Sequence, residues 1–141
     1  MLDCWHHLRG PDLGRVDAQV PGASILALRV SDIAPSPAAD LGEEMMHHRL
    51  LPGAGAGDLP ALVRELRDRG CTAPMEVEVY SDELAALDPL VAGLRAAEAL
   101  RRVVAEAASQ PTRDHGSGVG EAAPAAAPDQ RPAARDAQHL Y

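Results

Sequence analysis

Between residues 58 and 80 a capped amphipathic helix runs directly into an alternating strand, and this junction restricts the chain to a β/α architecture. In DLPALVRELRDRG, Asp58 is a candidate N-cap, Pro60 falls in the first turn, and Leu59, Leu62, Val63 and Leu66 keep helical spacing. Gly70 supplies a left-handed stop. The following PMEVEVY alternates, with Met75, Val77 and Val79 on one side and Glu76, Glu78 and Tyr80 on the other, as a strand does. From Ser81 or Asp82 a second helix is expected to about Ala107, interrupted near Pro89, with Leu87, Leu90, Val91, Leu94 and Val104 as its buried stripe. Upstream, SILALRVSD at 24–32 reads as another strand. Leu26, Leu28 and Val30 fall on one of its faces, and Ile25, Ala27, Arg29 and Ser31 on the other. The order strand, helix, strand, helix implies a right-handed parallel α/β arrangement.

Length and composition narrow the possibilities further. The 141 residues allow at most one ordinary domain. Beyond Ser109 the sequence is rich in Pro, Ala and Gly without periodicity, so residues 1–107 are expected to fold and 108–141 to form a disordered Ala/Pro-rich tail. A net charge of −8 argues against nucleic acid or an anionic membrane surface as the partner. No apolar run approaches a membrane span of about 20 residues, and the first residues lack the order of a signal peptide. A cytoplasmic protein is therefore expected. Cys4 and Cys71, far apart and outside any CxxC motif, read as reduced thiols.

Three places carry polar groups suited to chemistry. In DCWHH, Asp3 and His6 stand three apart, a spacing that serves metal binding or acid/base work at a strand end but that also occurs in ordinary surface loops. Glu78 sits where a parallel β/α protein gathers its reacting groups, although a solvated edge strand with Glu76 and Glu78 outward gives the same pattern. In HHRLLPGAGAGD, His47, His48 and Arg49 precede a glycine-rich turn that ends at a helix N-terminus. Such a turn can hold an anion on free backbone N–H groups, or be a flexible loop; it lacks both the GxGxxG and the P-loop spacing.

Taken in order, LDCWHHLRGPDLGRV, ILALRVSDI, HHRLLPGAGAGDLPALVRELRDRGC and APMEVEVYSDEL resemble the final portion of the sugar phosphate isomerase/epimerase family, over roughly residues 2–105. The resemblance implies the last two to three β/α units of a xylose isomerase-like TIM barrel. It also implies a divalent metal (Mn, Mg, Co or Zn) that coordinates a sugar or polyol while carboxylates move a proton beside its carbonyl. On this resemblance Asp3 and Glu78 are metal ligands and catalytic groups come from His6 and Glu78. His6 and Arg49 contact substrate. The chain would then begin at the end of the sixth strand.

Three features depart from the family pattern. The first metal-binding Glu belongs to a strand this chain lacks, Arg29 stands where the family has a metal-binding histidine, and PGAGAGD is longer than the usual turn and has no carboxylate. A complete barrel needs about 250 residues. A partial one is expected to be weakly active or inactive alone and to leave the 24–31 strand as an exposed edge open to self-association. Two further readings follow. One is a dehydratase or lyase of the same superfamily, and the other a noncatalytic half-barrel that binds a partner.

Overall fold

The structure, a computed structural model, describes residues 1–10 and 20–109. It is a mixed α/β fold with a three-stranded parallel sheet in the order β1-β2-β3. The elements are β1 (Leu2–Asp3), α1 (Cys4–Arg9), a 3-10 turn (Gly22–Ser24), β2 (Leu28–Val30), α2 (Leu41–His47), α3 (Leu59–Asp68), β3 (Met75–Val77), α4 (Asp82–Ala85) and α5 (Pro89–Ser109). Except for Ala108 and Ser109, which close α5, the expected disordered tail lies outside the described residues.

Parallel pairing places Asp3, Arg29 and Glu76 side by side across the sheet, and Leu2, Leu28 and Met75 one residue earlier. Because successive side chains alternate, the first row and Glu78 share one face and the second row shares the other. The apolar face packs on α3. Leu59, Leu62, Val63 and Leu66, the predicted helical stripe, are all buried there with Leu28 and Val30. Asp58 caps the helix by accepting from the Ala61 N–H at 3.1 Å, and Gly70 ends it at φ +82°, a conformation that costs a side-chain-bearing residue steric strain.

The structure corrects four expectations. The 24–32 strand shortens to Leu28–Val30, because the 3-10 turn sets the chain's phase just before it. Ile25 is consequently buried and Leu26, expected in the core, is 77% exposed. Secondly, β2 is the central strand, flanked by β1 and β3, so it is not an exposed edge. Thirdly, α5 buries Ala99, Val103 and Ala107, whereas Leu90 and Leu94 are 70% and 60% exposed and Val91 is exposed as well. The contact with α3 uses the small-residue side of the helix, along which two helices approach closely. Fourthly, α1 and α2 are helices that periodicity alone did not reveal. Each is capped at its N-terminus: Asp3 accepts from the His6 N–H, and Asp40 accepts from the N–H groups of Gly42 and Glu43.

The glycine-rich turn points its glycine N–H groups inward and does not offer them to an external anion. It closes on Asp32, which is wholly buried just beyond β2. Asp32 Oδ1 accepts from Ile33 N–H (2.8 Å) and Gly57 N–H (2.9 Å), and Oδ2 from Gly53 N–H (3.1 Å) and Gly55 N–H (3.0 Å). The anion that the turn was equipped to hold is the protein's own. A Cβ on Gly55 would strike the Ile33 carbonyl oxygen and come within 2.7 Å of Asp32 Oδ1, so this residue must be glycine for the loop to approach.

An internal ion pair fastens α1 to α2. Arg9 Nε donates to Glu44 Oε1 at 2.7 Å, Arg9 Nη2 donates to the Ala34 carbonyl at 2.8 Å, and Glu44 Oε2 accepts from the Ala38 N–H at 2.8 Å. Glu44 is buried, and every one of these contacts spans a different stretch of chain.

Candidate functional site

The polar face of the sheet carries a chain of alternating charges at the C-terminal ends of the strands. Asp3 ends β1, Arg29 lies in β2, and Glu76 and Glu78 come from β3 and the residue just after it. Arg49 enters from the segment following α2, where its backbone N–H donates to the Tyr80 carbonyl at 2.9 Å. Its Nη1 lies 3.1 Å from Asp3 Oδ2 and 3.6 Å from Glu78 Oε2. On the other side of Glu78, Arg29 Nη1 lies 2.8 Å from Oε1, while Arg29 Nε donates to Glu76 Oε1 at 2.8 Å. Asp3 and Glu78 thus converge on a single guanidinium nitrogen although 75 positions separate them in sequence.

Arg49 is 3% exposed and turned toward the protein. Its Nε donates to the Met45 carbonyl at 2.9 Å, and its guanidinium carbon stands 5.3 Å from the Trp5 ring centre and 5.1 Å from that of Tyr80. Those distances suit cation–π attraction, which partly replaces the hydration a buried arginine gives up. Arg29 and Glu76 are more open to solvent, so their pairing is screened and orients the side chains more than it stabilises them.

His6 is exposed, with its ring set edge-on to Trp5 at 5.2 Å. Its backbone N–H is 3.2 Å from Asp3 Oδ1, so Asp3 uses one oxygen to cap α1 and the other to hold Arg49. Burial pushes the Asp3 carboxyl up, but the His6 N–H, the Arg49 hydrogen bond and the charges of Arg49 and His6 outweigh it and leave the group below its ordinary value. A depressed carboxylate stabilises the fold above its unfolded pKa of about 4 and loses that contribution as pH falls through the folded value. Accordingly, the stability difference between wild type and Asp3→Asn, read from urea midpoints, should be constant near neutrality and close as pH drops below about 4. A difference that persists unchanged in acid would show that the Asp3 charge does not couple to folding.

Beneath the rim, Cys4 is buried, and burial together with the Asp3 charge pushes its thiol up to about 12. It stays neutral and serves as core rather than as a nucleophile. His47 and His48 do not join the rim cluster: His47 Nδ1 lies 3.0 Å from Asp82 Oδ1 on α4, and His48 Nε2 lies 3.9 Å from Glu43 on α2. The Asp82 hydrogen bond raises the His47 pKa.

The rim residues do not fit a divalent metal. Hard cations take about six or more oxygen ligands, and here the facing oxygens of Asp3 and Glu78 are already engaged by guanidinium groups. Among the described residues, no three His, Cys, Asp or Glu side chains gather into a group able to hold a metal ion. Sequence reasoning passed over Trp5 and Tyr80, whose rings frame Arg49, and the only available signal was their position beside Asp3 and Glu78. No helix among the described residues is long and apolar enough to cross a membrane. No family model matches the sequence, and no curated protein matches it.

Proposed function

We propose that the chain supplies the last β/α units of a sugar phosphate isomerase/epimerase-like barrel and acts in the cytoplasm on a sugar or polyol, moving a proton beside its carbonyl. The observation carrying this reading is the convergence of Asp3 and Glu78 at the C-terminal end of a parallel sheet, where β/α proteins assemble their reacting groups. Glu78, partly open to solvent, takes the proton. Arg29, 2.8 Å from it, supplies N–H donors to the oxyanion that forms. The exposed His6 meets the hydroxyl groups of the substrate, and Arg49 positions both carboxylates from behind. Two free thiols, Cys4 and Cys71, suit a reducing compartment.

The test is proton exchange. The full chain is incubated in D2O with a panel of aldose and ketose phosphates, and the carbon next to the carbonyl is followed by NMR. Deuterium should enter at that carbon, and Glu78→Gln should slow its entry by about 100-fold or more, the usual worth of a positioned proton-transfer group. A dehydratase or lyase would instead consume the substrate signal after the same abstraction. The engagement of Glu78 by two arginines favours a second reading, a noncatalytic half-barrel that binds a partner. Absence of both exchange and substrate consumption across the panel would leave only that one.

A further inference from the structure

Among the described residues, Arg49 alone combines near-complete burial with contacts to two carboxylates. Its fork is held along the edge by Asp3, Glu78 and the Met45 carbonyl, and it stands against two aromatic rings. An ion bridging Asp3 and Glu78 would need the volume its Nη1 fills. Swinging Arg49 outward would forfeit the carbonyl bond and both ring contacts, and would leave buried acceptors unmet. Arg29 closes the other side of Glu78 through Oε1, so both carboxylate oxygens of that residue face a guanidinium. Arginine suits this place because it remains charged at any ordinary pH and its planar fork spreads several donors over separate acceptors.

We infer that Arg49 is the resident cation of the rim: its guanidinium occupies the place between Asp3 and Glu78 that a divalent metal fills in the family the sequence resembles, and the rim keeps its shape without one. The inference deepens the proposed function and rests on its assignment of this rim as the site. It changes what that site requires, because the positive charge is built in, permanent, and independent of metal supply. The carboxylates are oriented before any ligand arrives.

The experiment is a MnCl2 titration of the full chain near neutral pH, with the free-ion signal followed by electron paramagnetic resonance, and thermal unfolding recorded with and without EDTA. Wild type should take up no Mn through this site, so that Glu78→Gln leaves the titration unchanged, and EDTA should not move its unfolding midpoint. Arg49→Met, similar in length and uncharged, should bind Mn about tenfold or more tightly than wild type, because a competing charge has left two carboxylates facing each other. Adding Glu78→Gln to that variant should remove the gain. Arg29→Met, which leaves Arg49 in place, should show none. Mn binding by wild type that Glu78→Gln abolishes would overturn the inference, as would a folded Arg49→Met chain that gains nothing. Should Arg49→Met fail to fold, the wild-type titration and the EDTA comparison decide alone. None of these readings needs turnover, so a chain that exchanges no proton on any sugar leaves the Mn result standing, and the two claims fail separately.

Discussion

Asp32→Ala should destabilise the fold by on the order of 4 kcal/mol, measured by urea unfolding at pH 7. The carboxylate is fully buried and accepts four backbone N–H groups, three of them from the glycine turn. Hydrogen bonds to a charged group contribute about 1.5–3 kcal/mol each, and losing the acceptor leaves the donors stranded, although neighbouring losses do not simply add. Against a total stability of roughly 5–15 kcal/mol for a small domain, this is a large share. Asp32→Asn should not rescue it. Each carboxylate oxygen serves two donors, so the amide can present its oxygen to one pair only, and its NH2 then meets N–H groups at the other. The corresponding change at the exposed cap Asp40 should be far milder. A loss below about 1 kcal/mol in Asp32→Ala would mean that the turn finds its partners elsewhere.

Breaking the Arg9–Glu44 pair on one side is the next largest expected effect. Glu44→Ala should cost about 3–5 kcal/mol, because the guanidinium stays behind in a poorly hydrated place and the Ala38 N–H loses its acceptor. Replacing both partners with apolar side chains of similar size, Arg9→Met with Glu44→Leu, should recover much of that loss, since two buried charges with matched desolvation penalties are removed together. A double variant as unstable as the single one would show that the bonds from Arg9 to the Ala34 and Ser36 carbonyls, rather than the ion pair, hold the 34–38 segment.

The contrast between these buried carboxylates and α3 explains what was legible in the sequence. The α3 signals are local: Asp58, Pro60, the apolar period and Gly70 all lie within one helix length, so propensity and packing agree. The strands β2 and β3 followed from the same kind of information, and so did the break at Pro89, whereas the two-residue β1 is too short to show a period and was expected only from the family resemblance. In α5, however, two stripes of similar apolar character compete. The neighbour, which the sequence does not name, selected the narrow Ala99, Val103 and Ala107 side over the larger leucines. At the rim, the place of Glu78 near a strand end could be read from the alternation and that of Asp3 only from the resemblance, but the burial of an arginine between them could not, since arginine is among the residues least often buried. Asp32 was invisible for a simpler reason. Its donors at Gly53, Gly55 and Gly57 lie 21, 23 and 25 positions away, and nothing in the residue itself announces them.

That turn has one more consequence. Every second N–H between residues 53 and 57 points to the same acceptor, which gives the segment a two-residue repeat in its hold on Asp32. The intervening Ala54 and Ala56 are exposed; the Ala54 N–H donates to the Leu51 carbonyl within the turn, and the Ala56 N–H to the Ile33 carbonyl beside Asp32. The segment therefore has a tolerant side and an intolerant side within five residues. A fluorophore or affinity handle attached through the exposed side chain of Ala54 or Ala56 would stand on the surface, whereas the same addition at Gly55 or Gly57 would strike Asp32 and dismantle the support beneath it.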